Sequence, residues 1–138
     1  MRVEWPTLLL IVLCYALWIA ATTAVSAWWL PAGVVLAAVT AALHASLTHE
    51  IIHGHPFRDA RLNAALVWPA LTLFVPFERF RDTHLAHHMD SILTDPYDDP
   101  ESNYLDPGAW ERLPDWVRVV LDSNNTLAGR LLIGPVVG

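Results

Sequence analysis

From Trp5 through His49 the chain contains no Asp, Glu, Lys or Arg. A charge-free run of that length restricts the fold more than any other feature of the sequence. It is too long for one membrane helix, which needs about 20 apolar residues, and about right for two. Trp28-Trp29-Leu30-Pro31-Ala32-Gly33 breaks the run in the middle. Tryptophan favours the membrane–water interface, and Pro and Gly punctuate helices. The run therefore reads as a helical hairpin, with one span at about residues 7–27 and a second at about 31–48. The composition agrees, with 54% of residues hydrophobic and 16% charged. A secretory signal peptide is the competing account of the first segment, with Arg2 ahead of the apolar stretch and Val25-Ser26-Ala27 as a cleavage site. Against it, the apolar run is too long, Glu4 stands where basic residues belong, and a second span follows at once.

Beyond the hairpin the chain alternates. Pro56-Phe57-Arg58-Asp59-Ala60-Arg61 reads as a polar break. Leu62–Phe77 is apolar but holds only 16 residues, with Pro69 and Pro76 among them. That is short for a span and suits a re-entrant or interfacial segment. Arg58, Arg61, Arg79 and Arg81 flank this region. By the positive-inside rule they mark a cytoplasmic face, and Arg2 puts the N-terminus on the same side. Residues 90–115 are acidic and proline-punctuated and read as a loop. Trp116-Val117-Arg118-Val119-Val120-Leu121 reads as a short amphipathic helix at the interface. Residues 126–138 turn apolar again; thirteen residues do not span a bilayer, so they read as the first turns of a third span. The fold class is all-α integral membrane.

The net charge of −6 comes mostly from the stretch Asp90–Asp122. There is no lysine and no basic patch, which argues against a nucleic-acid partner. Cys14 is the single cysteine and lies within the first span, so there is no disulfide framework and no thiolate metal site.

All seven histidines fall between His44 and His88. Five form two compact groups, His49-Glu50-Ile51-Ile52-His53 and His84-Leu85-Ala86-His87-His88. Histidine is the commonest side-chain metal ligand, and neutral imidazole suits iron, zinc and copper. A helix starting at Pro31 rises roughly 27–33 Å by His49 to His53, about the thickness of the hydrocarbon core. The first group is thus expected on an extension of the second span, at the far membrane surface. His49 and His53 share one helix face, as do His84 and His88, with His87 beside them. Single histidines at a membrane boundary are commonly just polar residues, but two spaced groups point to a metal centre. A full crossing by Leu62–Phe77 would hold the groups about 30 Å apart. Its shortness argues for one shared site. His44, inside the second span and about 140° round the helix from His49, reads as a hydrogen-bonded interior histidine more readily than a ligand. For His55, before Pro56, a ligand and a helix-ending role are both open.

His49-Glu50-Ile51-Ile52-His53 also matches H-E-x-x-H, in which Glu50 would be the general base of a zinc metalloprotease. That reading leaves His84, His87 and His88 without a role. A two-metal centre uses both groups and makes Glu50 an orienting residue. A non-catalytic membrane remnant or subunit that binds one metal is the reading from outside enzymology.

At these residues the chain resembles the membrane fatty acid desaturase/hydroxylase superfamily. Its first histidine box looks like Thr48-His49-Glu50-Ile51-Ile52-His53-Gly54-His55-Pro56 and its second like Thr83-His84-Leu85-Ala86-His87-His88. Leu93-Thr94-Asp95-Pro96 and Asp98-Asp99-Pro100-Glu101-Ser102 look like bacterial members, and the likeness runs from about Arg2 to the C-terminus. The resemblance implies an oxygen-activating diiron enzyme in lipid metabolism. Its iron ligands would be His49, His53, His84, His87 and His88, with no catalytic side chain beyond the metal centre. It implies fatty acyl lipids or related hydrocarbons as substrate, O₂ as co-substrate, and a ferredoxin, rubredoxin or cytochrome b5-type electron donor. The family carries a third box of the His-x-x-His-His type further downstream, and no histidine follows His88. The expectation is therefore that these residues are the N-terminal portion of one desaturase-like domain whose C-terminal part is missing. Five imidazoles are too few for two irons, so the chain alone is expected to be inactive or severely impaired. A purified chain that binds two irons and turns over would defeat that expectation.

Overall fold

The computed structural model describes residues 3–71, 76–89 and 93–134. Arg2, the middle of the second apolar segment (72–75), the start of the acidic loop (90–92) and the last C-terminal residues (135–138) lie outside the described residues. All regular structure among the described residues is helical. The chain divides into two compact units, Met1–Asp82 and Thr83–Gly138.

In the first unit the charge-free run forms two helical arms that meet at Trp29. The first arm is α1 (Trp5–Ala20), a π-helical turn (Ala21–Val25) and a short α2 (Ser26–Trp28). The second is α3 (Leu30–Ile52). Trp29 is extended, with φ −154° and ψ 102°, and Pro31 sits in the first turn of α3, where its missing N–H costs nothing. The arms hold 24 and 23 residues, each long and apolar enough to cross a membrane. Leu9, Val12 and Leu13 on the first arm and Val34, Val35 and Val39 on the second are exposed. Such a surface on both arms belongs in lipid. The chain is an all-α membrane protein.

Small residues let the arms come close. A Cβ on Gly33 would stand 2.0 Å from Ser26 Oγ and 2.9 Å from the Ala21 carbonyl oxygen. Ser26 Oγ donates to that same carbonyl at 2.6 Å. Deeper in, Cys14 Sγ donates to the Thr40 carbonyl at 3.3 Å, with both residues buried. Ile11, Cys14, Leu47 and Ile51 make the hairpin core, and Val67 of the next helix joins it.

That helix, α4 (Ala60–Val67), begins inside the segment read from sequence as a polar break. Asp59 caps it, its carboxylate accepting from the N–H groups of Arg61 and Leu62 at 2.8 and 3.2 Å. Eight residues rise only about 12 Å, so α4 does not cross a bilayer. The buried Asn63 locks the preceding turn, accepting from Phe57 N–H at 3.0 Å and donating to its carbonyl at 2.7 Å.

The helix α5 (Phe77–Met89) carries the second histidine group. In the second unit, α6 (Pro107–Arg112) lies within the stretch read from sequence as loop. Asp106 caps it, accepting from Gly108 and Ala109 N–H, and Pro107 occupies the first turn. The helix α7 (Asp115–Asn124) leaves Trp116 and Val119 exposed one turn apart. It turns tightly into α8 (Leu127–Leu132), where a Cβ on Gly129 would lie 1.8 Å from the Ser123 carbonyl oxygen. The described part of the stretch expected to begin a third span is thus a short helix carrying Arg130.

Candidate metal centre

In the first unit, His49 and His53 lie one turn apart at the end of α3, with ring centroids 4.8 Å apart. The helix stops at Ile52, and Gly54 follows with φ +92°, a conformation glycine takes at least cost. His55 therefore lies beyond the helix end. Its Nδ1 is paired with the Glu4 carboxylate, and Glu4 N–H donates to the Pro56 carbonyl at 3.1 Å. The start of the first arm and the end of the second are thereby tied together. Glu50 is exposed and makes no side-chain hydrogen bond among the described residues.

His44 is buried within α3 and occupied. Its Nε2 lies 3.0 Å from Tyr15 Oη, which also lies 3.0 and 3.1 Å from the carbonyl oxygens of Leu66 and Pro69. A phenol has one hydrogen, and carbonyls can only accept. Tyr15 therefore donates to the carbonyls and accepts from His44, which places the His44 proton on Nε2. That nitrogen is not available to a metal, and the network fixes the chain just beyond α4.

The second unit assembles its imidazoles with carboxylates. His84 is buried, and its Nδ1 lies 3.1 and 3.2 Å from the two Glu101 oxygens. His87 Nδ1 lies 2.8 Å from Asp99 Oδ1. Carboxylates only accept, so each Nδ1 carries a proton and each Nε2 is the nitrogen suited to a metal. His84 Nε2 and His88 Nε2 are 3.0 Å apart. Metal–imidazole distances of about 2.0–2.1 Å put two neighbouring ligand nitrogens about 3 Å apart on one ion. The donor set thus fits a first-row metal: all imidazole, carboxylate-oriented, with one nitrogen pair already at ligand spacing.

Asp99 is held from several directions. Its Oδ1 also accepts from Glu101 N–H at 2.9 Å, and its Oδ2 from Thr94 N–H at 2.9 Å. The hydrogen bond with His87, then that from Thr94, hold its carboxyl down at about 2. The same bond with Asp99 raises the His87 pKa. Thr94 adopts φ 73°, a left-handed conformation unusual for a β-branched residue. It is held there by Asp99 and by Ser102 Oγ, which donates to its carbonyl at 3.0 Å. Sequence reasoning gave Asp99 and Glu101 no role. The signal available was a carboxylate cluster shortly after an imidazole cluster, which is the composition of a histidine–carboxylate ligand shell.

Of the sequence-derived candidates, the structure brings together His49 with His53, and His84 with His87 and His88. It gives His44 and His55 partners of their own. Neither a comparison with curated proteins nor one with solved structures gives a match. A family model described as fatty acid desaturase matches residues 26–136, which include both histidine groups and the carboxylates that hold the second. With that match across most of its length and an all-helical membrane fold beneath it, this chain belongs to the fatty acid desaturase family.

Proposed function

We propose that this chain serves oxygen-dependent desaturation or hydroxylation of fatty acyl lipids or related hydrocarbons, at a diiron centre held by His49, His53, His84, His87 and His88. The observation that carries the reading is the pair of carboxylate–imidazole hydrogen bonds, Glu101 to His84 and Asp99 to His87, in a member of this family. A solvated polar face has no need of such bonds; a metal ligand does, because they fix its tautomer and aim its other nitrogen. Two bound irons would supply O₂ activation for attack on an unactivated C–H bond.

The rest of the work falls to the chain itself. Asp99 and Glu101 keep the proton on Nδ1 of their histidines and stiffen the ring orientations. Thr94 and Ser102 hold the loop that presents Asp99. The hairpin anchors His49 and His53 at one membrane surface, within reach of a lipid chain. The arginines nearby make that surface the cytoplasmic one, where a ferredoxin, rubredoxin or cytochrome b5-type donor would deliver electrons. Five imidazoles do not complete two iron sites, so the reading includes further ligands beyond these five.

The test is anaerobic loading of the detergent-purified chain with iron-57 as Fe(II), followed by exposure to O₂ and Mössbauer spectroscopy. Protein-bound iron with nitrogen-rich coordination, lost in His84→Ala, is expected. Iron binding indifferent to His84→Ala, or a chain that takes up only zinc and depends on Glu50 for hydrolysis of a peptide, would overturn the reading.

A further inference from the structure

The chain between the two histidine groups carries no charge from Leu62 through Phe77. Where such a segment meets lipid, its backbone polar groups need partners from the protein. Helix α4 starts shortly after Pro56, whose carbonyl takes the Glu4 N–H. It ends at Val67 against the hairpin core, level with Tyr15 of the first arm and His44 of the second. Three lengths agree on the depth of that point. By helical rise, Tyr15 stands roughly 16 Å from Glu4 and His44 roughly 13 Å from His53, and α4 itself carries the chain about 12 Å. Each is near half of a hydrocarbon core of about 30 Å.

At that depth the helix breaks. In a continued helix the Leu66 carbonyl would accept from Ala70 N–H. Pro69 stops the helix, and Ala70 N–H donates to the Trp68 carbonyl instead, at 2.7 Å. The Leu66 carbonyl is left without its helical donor, and the Pro69 carbonyl lies past the helix end. Both are met by the Tyr15 hydroxyl, at 3.0 and 3.1 Å. Trp68, Pro69 and Ala70 are themselves apolar and exposed, a surface suited to lipid. Leu71, just past the turn, and Phe77, the first residue of α5, pack against the same core as Leu66 and Val67. That core is built on Ile11, Cys14, Leu47 and Ile51, in the half of the hairpin that carries Glu4 and His53.

We propose that Tyr15, oriented by His44, is a positioning residue: its hydroxyl holds the turn Trp68-Pro69-Ala70 inside the bilayer, so that α4 descends from, and α5 begins on, the same half of the hairpin. This goes beyond the desaturase reading and does not depend on it.

The test is site-directed spin labelling of the full chain in palmitoyl-oleoyl-phosphatidylcholine vesicles, on a Cys14→Ser background. Nitroxides at Trp68→Cys, Arg58→Cys and Val12→Cys, all exposed positions, report depth. The reading is their relative collision with O₂, which enters lipid, and with chromium oxalate, which does not. The Trp68 label is expected to read like the Val12 label and not like the Arg58 label. Tyr15→Phe is expected to shift it toward the Arg58 reading, with a label at Val35→Cys on the second arm unmoved. His44→Leu is expected to shift it the same way, and His44→Gln, which keeps an N–H donor, to leave it deep. A Trp68 label that reads at the surface with Tyr15 in place, or one that Tyr15→Phe leaves where it was, would overturn the proposal. So would a Val35 label that moves with it, since Tyr15 would then hold the hairpin and not the turn. Equal readings for His44→Leu and His44→Gln would overturn the part given to His44. Iron content measured alongside keeps the two readings apart. A surface Trp68 label with iron bound defeats this inference alone; a deep label in a chain that binds no iron defeats the desaturase reading alone.

Discussion

Single side chains decide this site. Asp99 is the clearest case, because three polar contacts converge on one buried carboxylate. Asp99→Asn keeps the volume and loses the charge and one acceptor. Iron(II) affinity is expected to fall about 10- to 100-fold with helicity unchanged, measured by metal competition and circular dichroism. Unchanged affinity would show that His87 needs no orienting partner. Tyr15 tests the other polar network. Tyr15→Phe leaves His44 Nε2–H without its acceptor and the Leu66 and Pro69 carbonyls without their donor, and about 1–3 kcal/mol of stability is expected to go, read as a lower Tm in detergent. The histidines were legible in the sequence because they are rare, clustered and helically spaced. Their partners were not. Asp99 follows His87 by 12 residues and Glu101 follows His84 by 17, through a loop whose path depends on a left-handed Thr94. Nothing in local periodicity reports such a turn. Likewise no pattern along α3 shows that Tyr15, on the other arm, reaches His44.

At the scale of elements, the hairpin depends on how closely its arms meet. Gly33→Ala sets a methyl carbon 2.0 Å from Ser26 Oγ, with backbone close behind it. A loss of about 1–3 kcal/mol is expected in mixed-micelle unfolding, as for overpacked cores. Val35→Ala on the exposed face of the same helix is the control, expected within about 0.5 kcal/mol of wild type. Equal effects would mean that the arms do not close at Gly33. Asp59 caps α4, and Asp59→Ala should cost about 0.5–2 kcal/mol. Faster amide exchange at Arg61 and Leu62 would report it, and unchanged exchange would contradict the capping. The two long helices were readable because length, apolarity and the Trp-Trp-Leu-Pro break all agree. The short ones were harder. α4 starts in a segment whose arginines read as a break, and α6 starts at Asp106-Pro107 inside an acidic loop. In both, an aspartate before the first turn is the start signal, and charge and proline content obscured it. The π-helical turn at Ala21–Val25 has no distinctive composition; it becomes explicable only with Ser26 reaching back to Ala21 and Gly33 packed against both.

For the whole molecule, a membrane hairpin carries the first imidazole pair, His49 and His53, at the end of its second arm. The tie between Glu4 and the segment after His53 requires both ends of the hairpin on one side of the bilayer. In a Cys14→Ser background, Glu4→Cys and His55→Cys should label with an impermeant thiol reagent from the cytoplasmic side, and Trp28→Cys from the other. All three labelling from one side would remove the membrane crossing. The family match and the two apolar helices establish the class of protein; what they leave to experiment is whether these histidines hold iron. That question is met most directly by measuring metal bound to the detergent-purified chain, offered Fe(II) and Zn(II) in competition under anaerobic conditions, for wild type and for the His84→Ala/His88→Ala double variant. The account expects bound iron with the Mössbauer signature of nitrogen-rich coordination in the wild type, and its loss in the variant. Iron content unchanged by removing both imidazoles, or zinc alone in the wild type, would contradict it.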